Sequence, residues 1–421
     1  AASDVYKRQI MNIVILTGAY YPNMSATSAC IDKYIQILKN KHSIDVVCPL
    51  SQVHFEPLND PKIKLHFVFS RMWKWRMLCE ENIRNGRNVM LNKVVVDLFR
   101  IRSLLLSPIS YPTVEGWQMN PFYHELEKID QDKTIDVIIS VVNPICSVFA
   151  SRRFKLKHPK VKWITFITDP FTFQPSKYKY VFFPNRRKIR NYKNEKSVYD
   201  IADFNMFTEE LYHSALNDFS QPNEKTFVMK YILSSLSKSV VQQIVNEGKC
   251  RLVYAGALYA DRRNPERALS VLSQIDDIHV DFYISYSNCN SIVDKYLSET
   301  IKSFPAVNRS RYNELIYNEY DILINIGNNL SLQIPSKMLE LFSTGRPIIN
   351  FYQLKDVHYA MVEKYPLGIN IGPDDADAVE RVSEFCKQMK GKRLSFEEVE
   401  ALFPENTMDS QLALLEKLIE A

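Results

Sequence analysis

The chain has 421 residues, 46% of them hydrophobic and 24% charged, with a net charge of +5 at neutral pH. That balance excludes a disordered, fibrous or collagenous chain, and at roughly 100–200 residues per domain the length predicts two or three domains. Seven widely spaced cysteines without a CxxC pair, and eight histidines without an H-x(3)-H or HExxH pattern, point to reduced, mostly buried thiols in a cytoplasmic protein with no structural metal. No apolar run reaches the roughly 18 residues that span a bilayer.

Residues 1–10 carry no signal-peptide core and are read as a non-native extension ahead of a native start at Met11. From there short apolar runs alternate with helical patterns. The first half predicts strands at 12–17, 44–49, 63–69, 135–142, 162–168 and 203–208. Residues 30–40 read as a helix with Ile31, Tyr34, Ile35 and Leu38 on one face. The segment 71–106 breaks the rhythm as a basic, amphipathic helical pair, and 221–248 reads as a linker. The second half predicts strands at 251–257, 279–286, 320–327, 346–352 and 367–372, with helices near 265–275, 290–302, 335–344, 355–364 and 375–390. Two successive alternating sets predict an α/β chain of two Rossmann-like, doubly wound domains with an interdomain cleft. Their expected limits are 11–235, carrying the insertion 71–106, and 249–404, followed by a C-terminal helix in 405–421.

Positive charge is concentrated. Residues 151–200 hold 14 Lys and Arg against Asp169, Glu195 and Asp200, most densely in what reads as a loop at 184–196. This loop and the 71–106 pair read either as solvated faces or as attractors for phosphates, on anionic lipid headgroups or on a pyrophosphate-linked acceptor. No nucleic-acid module is recognisable, and nucleic acid is not an expected partner. Glycine is scarce, at ten residues, and six of them lie from Gly256 onward. Gly256 and Gly327 fall at strand ends, where a backbone can approach a phosphate closely. That favours a nucleotide site in the second half.

Two segments carry chemistry. In IPSKMLELFSTGRPIINF (334–351), Pro335 suits a first helical position, and the free N–H groups that follow favour an anion. Ser336 adds a hydroxyl, Lys337 a charge, and Glu340 shares their helix face, where a carboxylate can accept two bonds from a ribose diol. In LVYAGALYADRRNPERALSVL (252–272), a strand ends at Gly256, and Arg262 and Arg263 precede a helix start, where an arginine can pair with a diphosphate. Each segment alone also reads as an ordinary surface helix or loop.

Together they resemble the nucleotide-binding half of GT-B glycosyltransferases, specifically family 4 and its relatives in bacterial surface-polysaccharide synthesis. The shared run is Pro335, Ser336, Lys337, Glu340, Gly345 and Pro347. The resemblance implies that Arg263, with Arg262 beside it, and Lys337 contact the diphosphate of a nucleoside diphosphate sugar, and that Glu340 holds its ribose. It implies retention of anomeric configuration, no cofactor, and a final helix packed back on the first domain. In the first half, residues 11–30 resemble the family's opening strand and acceptor-facing loop, here with Tyr21, Asn23 and Ser25. Asp169, in WITFITDPFTFQPS (163–176), sits where a strand end would meet the acceptor and could orient or deprotonate its hydroxyl. An Asp opening a turn before Pro170 is the alternative.

The sequence also departs from the family. Leu332 stands where the first glutamate of E-x(7)-E is usual, Asn23-Met24-Ser25 replaces a Gly-Gly loop, and no histidine ends the 138–144 run. With Arg263, Lys337 and Asp169 as catalytic candidates and no DxD-type pair, the expected activity is metal-independent sugar transfer to a glycan or lipid-phosphate-linked acceptor. The expected place is the cytoplasm, at the inner face of the membrane. A catalytically idle GT-B subunit that binds a partner or glycan, and a sugar-nucleotide 2-epimerase of the same fold, are the competing readings.

Overall fold

The computed structural model describes residues 10–106, 116–142, 144–169, 171–174, 178, 183–234, 248–330 and 337–421. It divides into two compact units, one of residues up to Lys230 together with Met408–Ala421, the other Tyr231–Thr407.

The first unit runs β1 (Asn12–Leu16), α1 (Ala26–Leu38), β2 (Ser43–Pro49), β3 (Ile63–Val68), α2 (Arg71–Arg84), α3 (Val89–Leu106) and α4 (Gly116–Asp132). It continues through β4 (Val137–Val141), α5 (Ile145–Lys157), β5 (Lys162–Ile167), α6 (Pro184–Ile201), β6 (Phe204–Phe207), α7 (Glu209–Asn217) and β7 (Thr226–Val228). The seven strands form one sheet in the order β3-β2-β1-β4-β5-β6-β7, every pair parallel. Its central strands are buried on both faces, which is why they read as unbroken apolar runs rather than alternating ones. The linker expected at 221–248 is not free chain throughout, because β7 lies in it and pairs with β6. Three residues are too short a strand to leave a periodic signal.

The second unit runs β8 (Cys250–Leu258), α8 (Glu266–Leu272), β9 (Ile278–Ser287), α9 (Asn290–Tyr296), β10 (Ile301–Pro305), α10 (Arg309–Glu314) and β11 (Ile322–Ile326). Then follow α11 (Lys337–Ser343), β12 (Ile348–Phe351), α12 (Val357–Lys364), β13 (Gly368–Ile371), α13 (Ala378–Met389) and α14 (Phe396–Leu402). Six parallel strands form a sheet in the order β10-β9-β8-β11-β12-β13. One apolar cluster, with Leu269, Phe282, Ile324 and Val382, fills one side of it; a second, with Leu323, Met338, Phe342 and Val399, fills the other. The helix expected at 290–302 stops at Tyr296, and β10 takes its end. IKSFP is an edge strand with only Ile301 buried, so it lacks the apolar run by which the inner strands are recognised.

The last helix, α15 (Met408–Glu420), belongs to the first unit. Leu415, Leu418 and Ile419 are buried there. The Tyr34 hydroxyl of α1 stands 2.8 Å from Gln411 Oε1, and Lys41 pairs with Glu416 at 2.5 Å.

Both sheets reverse direction beside their first strand, between β1 and β4 and between β8 and β11. In an open parallel sheet the loops diverge at that point beyond the carboxyl ends of the strands, leaving a crevice. All seven cysteines are without disulfides, and six are buried. Among the described residues no helix is long and apolar enough to cross a membrane.

Candidate functional site

A small cavity opens at the switch point of the second sheet. Its walls are the ends of β8 and β11, with Arg263, Tyr312 of α10 and Lys337 of α11 around them. Local backbone geometry places each group.

β8 slips register against β9 between Gly256 and Ala257. A Cβ at Gly256 would stand 2.8 Å from the Tyr254 hydroxyl, so the strand passes the cavity without a side chain. The chain then turns tightly, with Tyr259 and Arg263 exchanging backbone bonds at 3.2 and 2.8 Å. This turn parts the two arginines. The Arg262 guanidinium lies 3.9 Å over the Tyr259 ring, while Arg263 lines the cavity and donates from Nε to Asn328 Oδ1 at 3.1 Å.

Lys337 opens α11 and reaches across to β8, where Nζ donates to the Ala255 carbonyl and lies 4.6 Å from the centre of the Tyr312 ring. Burial pushes its pKa down to about 8; Glu340 opposes that shift, and the charges of Arg263 and Arg309 add to it. A lysine so placed lacks a full counter-charge. An anion in the cavity would supply one.

Glu340, one turn along α11, is already held. Arg309 grips it with two bonds of 3.0 and 3.2 Å, a planar fork on a carboxylate. Burial is the largest single influence on Arg309 and depresses its pKa, but the bond to Glu340, the charge of that carboxylate and the nearby Tyr312 and Tyr317 together outweigh it, and the net shift is upward. Arg309 and Tyr312 come from a stretch that carries no motif in the sequence. Their place beside Lys337 follows from sheet order, which spacing does not encode.

His358, near the start of α12, also escapes a sequence reading. It is buried, and burial together with the neighbouring Arg263 charge holds its pKa at about 3, so the imidazole is neutral. Pro335, Ser336 and Leu332 lie outside the described residues.

The expected acceptor-side residues all belong to the first unit. The Tyr21 hydroxyl donates to the Glu56 carbonyl at 2.7 Å, and the ring meets Phe55 edge-on. Asn23 is exposed. Ser25 is the N-cap of α1, its side chain accepting from Ser28 N at 3.1 Å, so it has a structural task whatever else it does.

Asp169 lies two residues past β5 at the carboxyl edge of that sheet. The loop it opens is tied down by Glu195, a buried carboxylate of α6 that accepts from Thr172 N at 2.8 Å and from the Tyr199 hydroxyl at 2.7 Å. Burial raises the Glu195 pKa. Residues 184–196 are not a loop: they form the first turns of α6, with Glu195 facing inward and Arg186, Lys188 and Arg190 exposed. Among the described residues no group of three or more His, Cys, Asp or Glu could hold a metal ion.

No family model matches the sequence, and no curated protein matches it. Solved structures do match, over nearly the whole chain. The lipopolysaccharide outer core galactosyltransferase WaaB, in its apo form, aligns with a TM-score of 0.61 at 10% identity, covering 97% of this chain and 99% of its own. The catalytic domain of starch synthase IV from Arabidopsis thaliana, bound to ADP and acarbose, aligns at 0.59 and 10% identity over 98% and 99%. A UDP-N-acetylglucosamine 2-epimerase aligns at 0.50 and 10% identity over 94% of each chain. At such identity the likeness speaks for architecture and leaves the chemistry to the site. The chain has the GT-B fold, with two Rossmann-like parallel sheets flanked by helices.

Proposed function

We propose that this protein is a glycosyltransferase of the family 4 type, moving a sugar from a nucleoside diphosphate sugar to a glycan or lipid-linked acceptor in cell-surface polysaccharide synthesis. The observation that carries the reading is the convergence of Arg263 and Lys337 on the switch-point cavity of the second sheet. Two cations over glycine-bared backbone fit a diphosphate, and Glu340 beside them fits a ribose diol.

In the proposed reaction the bond from the anomeric carbon to the diphosphate oxygen breaks, and its electron pair leaves with the oxygen. The acceptor hydroxyl forms the new bond, with retention of configuration, and gives up its proton. Negative charge on the diphosphate grows as the bond breaks. Arg263 and Lys337, rather than a metal ion, stabilise that charge more in the transition state than in the ground state. Asp169 of the first unit orients the acceptor hydroxyl or takes its proton.

The acceptor's membrane is approached through α2 and α3. Met90, Leu91, Val94, Leu98, Ile101 and Leu105 are all exposed, Met90 at 85%, in a stripe of helical spacing along α3. The segment 71–106 carries eight Lys and Arg against three acids. An apolar stripe among cations fits the inner face of an anionic bilayer, where the helix lies in the interface.

The test is calorimetric titration with UDP, GDP, ADP and their glucose conjugates, on wild type and on Lys337→Met and Arg263→Met. One base is expected to bind, with either variant losing about tenfold or more in affinity, as for removal of a charge-assisted contact. Binding without transfer to any acceptor and without hydrolysis would favour an idle subunit. Conversion to a 2-epimer would favour the epimerase reading. No binding at all would remove the donor site.

A further inference from the structure

The cations and Glu340 leave part of the cavity unexplained. On the side of the sheet that α11 covers, three asparagines stand in register on β11, β12 and β13: Asn325 opposite Asn350, and Asn350 opposite Asn370. Their side chains form a ladder. Asn370 Nδ2 donates to the Tyr359 carbonyl at 3.1 Å, Asn350 Nδ2 to Asn370 Oδ1 at 2.7 Å, and Asn325 Nδ2 to Asn350 Oδ1 at 2.7 Å. A backbone carbonyl can only accept, so the Tyr359 end fixes the sense of the whole chain of bonds. Turning any one amide over would set oxygen against oxygen or N–H against N–H.

The far end of that ladder is Asn325 Oδ1. Asn325 lines the cavity, and no described residue donates to this oxygen. Tyr312 lines the same cavity; its hydroxyl is buried near the Glu340 carboxylate, whose charge helps to raise its pKa, and no well-formed hydrogen bond satisfies it. Its ring already serves Lys337 and Arg309, at 4.6 and 5.3 Å from the ring centre. Burying an unpaired polar group costs free energy, so the Tyr312 hydroxyl is an opening for a ligand, and the partly buried Asn325 stands in the wall of the same cavity.

The two atoms also say what kind of ligand group fits. An amide oxygen repels phosphate oxygens and needs a donor. A tyrosine hydroxyl donates or accepts. A phosphate satisfies Lys337 and Arg263 but leaves Asn325 unpaired. A hydroxyl suits either neutral group, since it donates to the amide oxygen and donates to or accepts from the tyrosine. We infer that Tyr312 and Asn325 form a neutral reading pair for a ligand hydroxyl next to the diphosphate, held in aim by the ladder through Asn350 and Asn370. This rests on the donor-site reading above, and it adds two residues that recognise hydroxyl rather than charge. The hydroxyl belongs to the ribose or to the transferred sugar.

The experiment titrates wild type, Tyr312→Phe, Asn325→Ala and Asn325→Asp with three probes: inorganic pyrophosphate, the nucleoside diphosphate that wild type binds, and its glucose conjugate. Tyr312→Phe removes a buried hydroxyl without a well-formed bond, so the free protein should melt close to wild type. Tyr312→Phe and Asn325→Ala should each lose about tenfold in affinity for a hydroxyl-bearing probe and leave pyrophosphate within about twofold, the worth of one hydrogen bond. Loss that begins with the nucleoside diphosphate assigns the hydroxyl to the ribose; loss confined to the conjugate assigns it to the sugar. Asn325→Asp breaks the same ladder bond but puts an anion in the cavity, so it should weaken pyrophosphate as well. Equal weakening of all probes by Asn325→Ala and Asn325→Asp would mean a structural ladder and overturn the inference. So would unchanged affinity in Tyr312→Phe and Asn325→Ala while wild type binds the conjugate. Wild type that binds no probe, or pyrophosphate alone, overturns the donor-site reading and this inference together.

Discussion

Lys337 is the residue on which most of the proposed chemistry depends, and its depressed pKa gives it a pH signature. The folded-state value is about 8 against 10.5 for a free lysine side chain. Between these values the unfolded chain binds the proton and the folded chain does not. Stability from this group therefore rises with pH from about 8 to about 10.5 and is constant below 8. Anion binding runs the other way, because only the ammonium form attracts a diphosphate. Nucleotide affinity should be flat below about pH 8 and fall toward about tenfold per pH unit above it, and Lys337→Met should flatten that profile. Titrations at pH 6.5 to 9.5 decide it, and a wild-type profile without the break would refute the role of Lys337. Arg309 and Glu340 make a second residue-scale case. Arg309 is 61% exposed, so a double-mutant cycle on folding should give a coupling below about 1 kcal/mol. The same cycle on nucleotide affinity should give more, because a bound ribose shields the pair.

At the scale of elements, α11 is positioned by how it ends. Gly345 follows it at φ +70, and a Cβ there would stand 2.1 Å from the Leu394 carbonyl oxygen, which belongs to the segment leading into α14. Gly345→Ala combines a left-handed backbone with a clash against main chain that cannot rotate away. It should cost at least about 2 kcal/mol in chemical denaturation and weaken nucleotide binding by displacing Lys337. Normal stability would mean that the turn can relax. For α3 the expectation is a surface effect. Leu98→Glu with Ile101→Glu should leave the melting temperature nearly unchanged and abolish flotation with phosphatidylglycerol vesicles. Binding of wild type to phosphatidylcholine alone would remove the electrostatic part of the argument.

At the scale of the whole molecule, α15 closes the first unit from the far end of the chain. Leu415, Leu418 and Ile419 are buried in it, at about 1.5–3 kcal/mol for each such side chain. A chain ending at Thr407 should lose several kcal/mol from the first unit, while the second unit, whose residues stop at Thr407, keeps its own transition. Calorimetry of the full and shortened chains would show it; an unchanged profile would mean that α15 contributes little.

The strand rhythm was legible because parallel strands buried on both faces leave continuous apolar runs, as in β4 and β12. Lys337 and Glu340 were legible because one helix turn joins them. The sequence by itself determined the α/β class, the alternation of elements and the charge pattern, since these depend on neighbours along the chain. It said nothing of Arg309 on Glu340, of the hydroxyl of Tyr312, or of Asn325, Asn350 and Asn370 in one row. Those residues meet only because β11, β12 and β13 lie side by side in register and α10 and α11 pack beside them. Contacts between strands and helices far apart in the chain are set by sheet order, and that order is decided only when the tertiary structure forms.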